Sequence, residues 1–148
     1  MNKFAAAGLS FLLAVLWFDL MFDTQTRGYT GELPAEVLAS ISAYYRRVTT
    51  EAFPMNRLIS LVMLLTIGSI VAEIVRGEKS RWVGWGSLAL VAFGVALTLT
   101  RTVPNAVQLG SGADTLAVQS DLARAIYHDH VMSFVRTLLV LGLQLFAR

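Results

Sequence analysis

The chain contains no cysteine, and only 15% of its 148 residues are charged. Without cysteine there can be no disulfide, no thiolate metal site and no cysteine nucleophile. An average soluble domain carries about 25% charged residues, so the low value argues against a soluble enzyme and against an extended disordered chain. The formal net charge is +2, and the basic residues are scattered between apolar runs, so nucleic-acid binding is not expected. Apolar residues dominate instead: 55% of the chain is hydrophobic.

Four apolar runs approach the roughly 20 residues that a helix needs to cross a bilayer. They cover residues 4–22, 58–75, 82–100 and 131–147. The first run is followed by bulky and acidic residues rather than a small-residue cleavage site, so we expect it to be retained as a membrane helix. The sequence therefore predicts an all-α integral membrane protein, with residues 1–148 forming one transmembrane four-helix bundle.

The long connections between these runs have helical patterns of their own. In the first connection, apolar residues recur at helical spacing at Val37, Leu38, Ile41, Tyr44, Tyr45 and Val48. This pattern predicts an amphipathic helix that lies on the membrane surface or caps the bundle. Between residues 114 and 127, apolar residues recur every four positions. We therefore expect the last helix to begin outside the bilayer and to continue into it.

Positive charges in short loops indicate the orientation of the bundle. With four spans, the two termini and the loop 76–81 share one side of the membrane. That side carries Lys3, Arg76, Lys79, Arg81 and Arg148. The sequence therefore predicts that both termini are cytoplasmic and that the two long connections are extracytoplasmic.

Polar residues collect at the other end of the predicted bundle, at the outer end of every helix. They are Asp19, Asp23, Asn56, Arg57, Arg101, Asn105, His128, Asp129, His130 and Arg136. Ionisable groups inside a membrane are costly and usually face a partner, a cavity or a ligand. Two compatible interpretations follow. Asp19 neutralises Arg136 or Arg101 as a buried ion pair, or the cluster surrounds a polar pocket. At the opposite end, Glu73 is expected to pair with Arg76.

The outer cluster has residue types suited to acid–base chemistry. A histidine can remove a proton from a phenol or a carbon acid, a carboxylate can orient it, and cationic or amide donors can stabilise an oxyanion. The candidate catalytic residues are His130, Asn105, Arg136, His128 and Asp19. The candidate substrate-binding residues are Arg101, Tyr44, Tyr45, Asn56 and Arg57. The two tyrosines could instead be aromatic residues anchored at the membrane interface.

The pair His128 and His130 also has the form of a short metal-binding motif. On a helix, however, residues two apart point about 200° away from each other, so they could hold one metal ion together only where the segment is extended or kinked. Histidines at the headgroup level are the favoured interpretation. A metal would need Asp19 or Asp23 as further ligands, and the sequence assigns no cofactor.

Two short elements of the C-terminal half resemble the anthrone oxygenase-like family of small four-helix membrane proteins. Val103-Pro104-Asn105 follows the third apolar run, and His130 precedes the pair Arg136-Thr137 in the fourth. The resemblance implies oxidation of a polycyclic phenolic anthrone by molecular oxygen in a bacterial inner membrane. It implies that Asn105 and His130 act in this reaction and that Arg136 supports them.

Three functional hypotheses follow. The first is a membrane oxidoreductase that acts on a lipophilic aromatic or quinone-like substrate at the outer end of the bundle. The second is a noncatalytic small membrane subunit, or a lipophilic-ligand-binding protein, in which the polar cluster forms structural ion pairs. The third is a metal-binding membrane protein that uses Asp19, Asp23, His128 and His130. The expected partners are the lipid bilayer, a lipophilic small molecule, and either a second copy of the chain or a larger membrane complex.

Overall fold

A computed structural model describes residues 3–147, and this part of the chain is predominantly helical, with no strands. The α-helices are α1 (Lys3–Asp23), α2 (Ala35–Thr50), α3 (Met55–Arg76), α4 (Arg81–Leu97), α5 (Val103–Ser111) and α6 (Leu116–Phe146). A short 3₁₀ turn (Thr24–Thr26) follows α1, and a π-helical turn (Thr98–Thr102) joins α4 to α5. The all-α fold class and the amphipathic helix in the first long connection are confirmed.

Four helical stretches in the described chain are long and apolar enough to span a membrane. They are Lys3–Thr26, Met55–Arg76, Arg81–Ser111 and Leu116–Phe146. Helices α1 and α4 each pack against both α3 and α6, so these four helices close into a bundle. Only 17–28% of the apolar windows is buried inside the protein, which leaves most of their surface for lipid.

The third span is longer than the sequence predicts: its helical path does not end near residue 100 but continues to Ser111. It runs through the π turn Thr98–Thr102 into α5. Pro104 lies at the start of α5, but it is inside this continuous helical path, where its missing N–H and its ring would disturb a regular α-helix. Such a π bulge changes the local hydrogen-bond pattern without ending the helix. The chain therefore continues past the proline, and α5 packs against α2 as well as α6.

Helices α2 and α5 and the first turns of α6 form a separate layer over one end of the bundle, which we call the cap. Its core consists of Leu33, Leu38, Ile41, Tyr45, Ala106, Leu109, Ala123 and Ile126. Helices α2 and α5 approach closely at Gly110, where a Cβ atom would lie 2.8 Å from the backbone nitrogen of Arg46. The Ser42 hydroxyl donates a 2.8 Å hydrogen bond to the carbonyl of Leu109 at the same contact. The cap is thus held by direct packing of helix on helix.

A small polar group lies at the opposite end of the bundle. Glu73 on α3 is almost fully buried, and the Gln144 side chain on α6 lies between it and Ser87 on α4. In the amide orientation that satisfies both neighbours, Gln144 donates to Glu73 Oε2 at 2.7 Å and accepts from Ser87 at 3.1 Å. The expected Glu73–Arg76 pair is wrong, because Arg76 turns outward and contacts Glu78 at 3.4 Å. Three spanning helices are therefore joined here by hydrogen bonds.

Gly110→Ala should weaken the contact between the cap helices α2 and α5. Because the new methyl group meets backbone atoms that cannot rotate away, we expect the free energy of unfolding to fall by about 1–3 kcal/mol. Denaturant unfolding in detergent micelles measures the change. Gly142→Ala is the matched control, since a Cβ atom there would meet no packed neighbour within 4 Å. Equal losses of stability in the two variants would contradict the close packing of α2 on α5.

Candidate functional site

The outer polar cluster centres on Asp23, a fully buried residue at the end of α1. Its Oδ2 lies 2.6 Å from Nδ1 of His130 on α6, a distance at which the ring nitrogen donates to the carboxylate. The hydroxyl of Tyr45 on α2 donates to Asp23 Oδ1 at 2.5 Å. One carboxylate thereby joins two spanning helices to the cap.

Asp19 lies one helical turn before Asp23 and faces the same way. Its Oδ1 accepts a 2.6 Å hydrogen bond from the hydroxyl of Tyr44, and its Oδ2 is 4.0 Å from Nε2 of His130. The Tyr44 ring is held in turn by stacking on Phe22, with 4.0 Å between ring centroids. The hypothesis that Asp19 neutralises Arg136 or Arg101 is wrong, because its carboxylate contacts Tyr44 and His130 rather than either arginine.

The two tyrosines of α2 act as hydrogen-bond donors to these carboxylates. Burial, followed by the negative charge of Asp19, raises the pKa of Tyr44 above its usual value. Burial and Asp23 raise the pKa of Tyr45 in the same way. Both phenols therefore stay protonated at physiological pH and keep donating. These hydrogen bonds attach the cap to α1, and the role of the two tyrosines as a cover for a substrate stays a prediction.

Asp129 forms a third polar contact, also buried. Its Oδ2 lies 3.3 Å from Nε of Arg101 and accepts a 3.3 Å hydrogen bond from the Thr102 hydroxyl. Both partners belong to the π turn, so the local change in helical pitch brings them to α6 together. This pair accounts for the charge of Arg101.

A cavity of about 400 Å³ extends from this cluster into the bundle between α1, α3, α4 and α6. Its walls are mostly apolar and include Leu12, Met63, Val91 and Val140. Five of the candidate residues line it: Asp19, Tyr45, Asn56, His130 and Arg136. The prediction of a shared pocket at one end of the bundle therefore has a structural counterpart.

The remaining candidate residues lie outside this lining. They are Tyr44, Arg57, Arg101, Asn105 and His128. His128 is exposed, because it points to the face of α6 opposite His130. Arg57 is also exposed and stacks over the Phe53 ring at 5.1 Å. Asn105 is half-buried on α5. The structure thus brings His130 and Arg136 to one cavity and leaves Asn105 and Arg101 outside its lining.

The four residues named in the metal hypothesis also do not form one set of metal ligands in the described chain. Over residues 3–147, no group of three or more histidine or acidic side chains is arranged to hold a metal ion. The two histidines lie on different faces of α6, as expected from their spacing. Asp23 is occupied by His130 and Tyr45, so its oxygens are already hydrogen-bonded.

The central position of Asp23 and the part played by Thr102 were missed by sequence reasoning about catalysis. Asp23 lies four residues after Asp19, a spacing that places both carboxylates on one helix face, and this signal was available. Thr102 had no such signal, because its contact with Asp129 depends on the π turn.

The helices and the cluster define an integral membrane protein in which the conspicuous polar residues mainly bind one another. A sequence model of the SHR3 chaperone family, described as ER membrane protein SH3, matches residues 5–145. The chain belongs to this family. No curated protein and no solved structure matches it significantly.

This membership corrects the resemblance drawn from the C-terminal half. The anthrone oxygenase-like assignment is wrong, and with it the oxidoreductase function and the bacterial inner membrane, because the family match covers nearly the whole chain and names an ER membrane chaperone family. The motifs behind the resemblance are only a few residues long. The hypothesis of a noncatalytic membrane subunit with structural ion pairs fits better.

Tyr45→Phe should destabilise the protein without altering its helix content. The variant removes a donor from a buried carboxylate, so we expect the free energy of unfolding to fall by about 1–3 kcal/mol. The measurement is denaturant unfolding in micelles followed by circular dichroism. Tyr29→Phe, at an exposed tyrosine, is the control and should have no effect. If both variants unfold at the same denaturant concentration, the Tyr45 hydroxyl does not hold the cap.

Proposed function

We propose that this protein is a noncatalytic chaperone of the ER membrane that binds transmembrane segments of client membrane proteins while they assemble. The observation that carries the proposal is the family match over residues 5–145. A complex with such a client would be the larger membrane complex named among the expected partners. The proposal needs a surface within the bilayer that can exchange lipid for a client helix.

The internal pairing of the polar cluster supports a noncatalytic role. A catalytic acid or base needs a donor or acceptor atom that is free to form a hydrogen bond with the substrate. The carboxylates of Asp23 and Asp129 instead have partners on neighbouring helices. Their arrangement suits a fixed scaffold on which apolar surfaces are presented.

The N-terminal half of α3 is the best candidate for the client surface. Helix α3 packs against α1 and α4 and makes no extensive contact with α2 or α5. The first buried residue of α3 is Thr66, so more than two turns before it have none. Large apolar side chains are exposed along this half: Leu58, Leu61, Leu64 and Leu65. A partner helix could pack on this surface by van der Waals contact, as spanning helices do with one another.

The orientation of the bundle is also a proposal. The cations Lys3, Arg76, Lys79 and Arg81 support a cytoplasmic location for the loop after α3 and for both termini. The cap would then lie on the luminal side of the membrane. Lys79 has an additional role, because its ammonium group donates to the carbonyls of Gln144 at 2.9 Å and Ala147 at 2.8 Å at the end of α6.

A translation assay in ER microsomes tests the chaperone function. A multi-spanning transporter is synthesised in microsomes with or without this protein, and its aggregated fraction is measured by native gel electrophoresis. We expect less aggregate when the protein is present, because exposed spans of the nascent transporter are covered. A single-span membrane protein serves as the control client. An unchanged aggregated fraction would contradict the proposed function.

The same assay can locate the surface. A photo-cross-linking amino acid replaces Leu61 on α3 in one variant and Leu139 on α6 in another; these side chains are 53% and 58% exposed, respectively. We expect the transporter to cross-link several-fold more strongly to position 61. Equal cross-linking at both positions would contradict the assignment to α3 while leaving the aggregation result to decide the function.

A further inference from the structure

Arg136 is a buried cation inside a membrane-spanning helix, with 9% of its surface exposed. Its Nη2 donates a 2.8 Å hydrogen bond to the Ser133 hydroxyl one turn earlier on α6. Its guanidinium carbon lies 5.1 Å from the centre of the Phe93 ring. Across residues 3–147, no carboxylate oxygen lies within 4.0 Å of its side-chain nitrogens. The charge is therefore not neutralised by a direct ion pair.

The acidic groups nearest in the outer cluster are otherwise engaged. Asp23 and Asp19 face His130 and the tyrosines of α2, and Asp129 faces Arg101. Unpaired charge in the hydrocarbon region is costly and commonly marks a ligand or ion pathway. An arginine is suited to bind a carboxylate or a phosphate, because its planar fork can donate two parallel hydrogen bonds.

The guanidinium is also accessible. Arg136 lines the 400 Å³ cavity, and it fits against α4 because Gly94 has no side chain; a Cβ there would lie 3.1 Å from Nε and Nη2. In the described part of the chain, no fully buried side-chain nitrogen or oxygen lacks a hydrogen-bond partner. The guanidinium nitrogens that do not bind Ser133 are therefore not sealed inside the protein, and Arg136 is a lining residue of the cavity.

The size and walls of the cavity restrict what could bind there. Its volume of about 400 Å³ lies in the range of small-molecule sites, about 300–1,000 Å³. The walls from Leu9, Leu12, Leu90 and Val95 are apolar and suit a hydrocarbon chain.

From these observations we infer that the cavity binds a single-chain amphiphile with an anionic head, and that Arg136 binds the head. Long-chain fatty acids and single-chain lipid phosphates share this chemistry. The hydrocarbon chain would lie between α1, α3 and α4. Its entry would be from the bilayer, along the side on which α3 is loosely packed. This inference specifies a lipophilic ligand and stands independently of the proposed chaperone function.

Binding of three 16-carbon ligands to the purified protein in a nonionic maltoside detergent tests the inference. The ligands are hexadecanoate, hexadecyl phosphate and hexadecanol, which share a chain and differ in the head. We expect at least one anionic ligand to bind about ten to a hundred times more tightly than the alcohol, because a hydrogen-bonded charge pair has that effect on affinity. The comparison of the acid with the phosphate identifies the source of the head group.

Arg136→Gln should remove the preference for the anionic ligand and leave hexadecanol binding unchanged. Arg27→Gln, at an exposed arginine outside the cavity lining, is the control and should keep the preference. Equal binding of acid, phosphate and alcohol to the unaltered protein would overturn the inference, as would absence of binding or a preference retained in Arg136→Gln. The first comparison uses the unaltered protein, so it decides the matter even if the variant fails to fold.

Discussion

The hydrocarbon core of a bilayer offers no hydrogen bonds, so polar groups carried into it need partners within the protein. The structure meets this constraint by connecting helices that are distant in sequence. Asp23 and His130 are 107 residues apart and lie 2.6 Å from each other at their polar atoms. Tyr45 adds the cap to the same contact. This one cluster thus joins α1, α2 and α6.

The outer polar cluster lies at one end of the bundle, and the cavity extends from it between the spanning helices. The N-terminal half of α3 has no buried residue before Thr66, and the cavity lies beside this half. At the other end, Gln144 joins α3, α4 and α6 through Glu73 and Ser87. Polar contacts therefore join the spanning helices at both ends of the bundle, with the cavity between them.

Hydropathy and helical periodicity are enough to predict the all-helical membrane bundle and helix α2, because both depend on local sequence. The pairing of charges could not be predicted in this way. Asp19, Arg101 and Arg136 are predicted at one end of the bundle, but the rotation of each helix and the π turn decide that Arg101 contacts Asp129 while Arg136 faces the cavity. The family resemblance based on Asn105 and His130 was wrong, because a match of a few residues does not determine how the side chains of a site are arranged.

A double-mutant cycle between Asp23 and His130 tests the central claim most directly, namely that the outer polar cluster holds the helices together. Asp23→Ala, His130→Ala and the double variant are compared with the unaltered protein by unfolding in micelles. The account predicts a coupling free energy above about 1 kcal/mol, as found for contacting buried groups. A coupling near zero, with additive losses of stability, would contradict it.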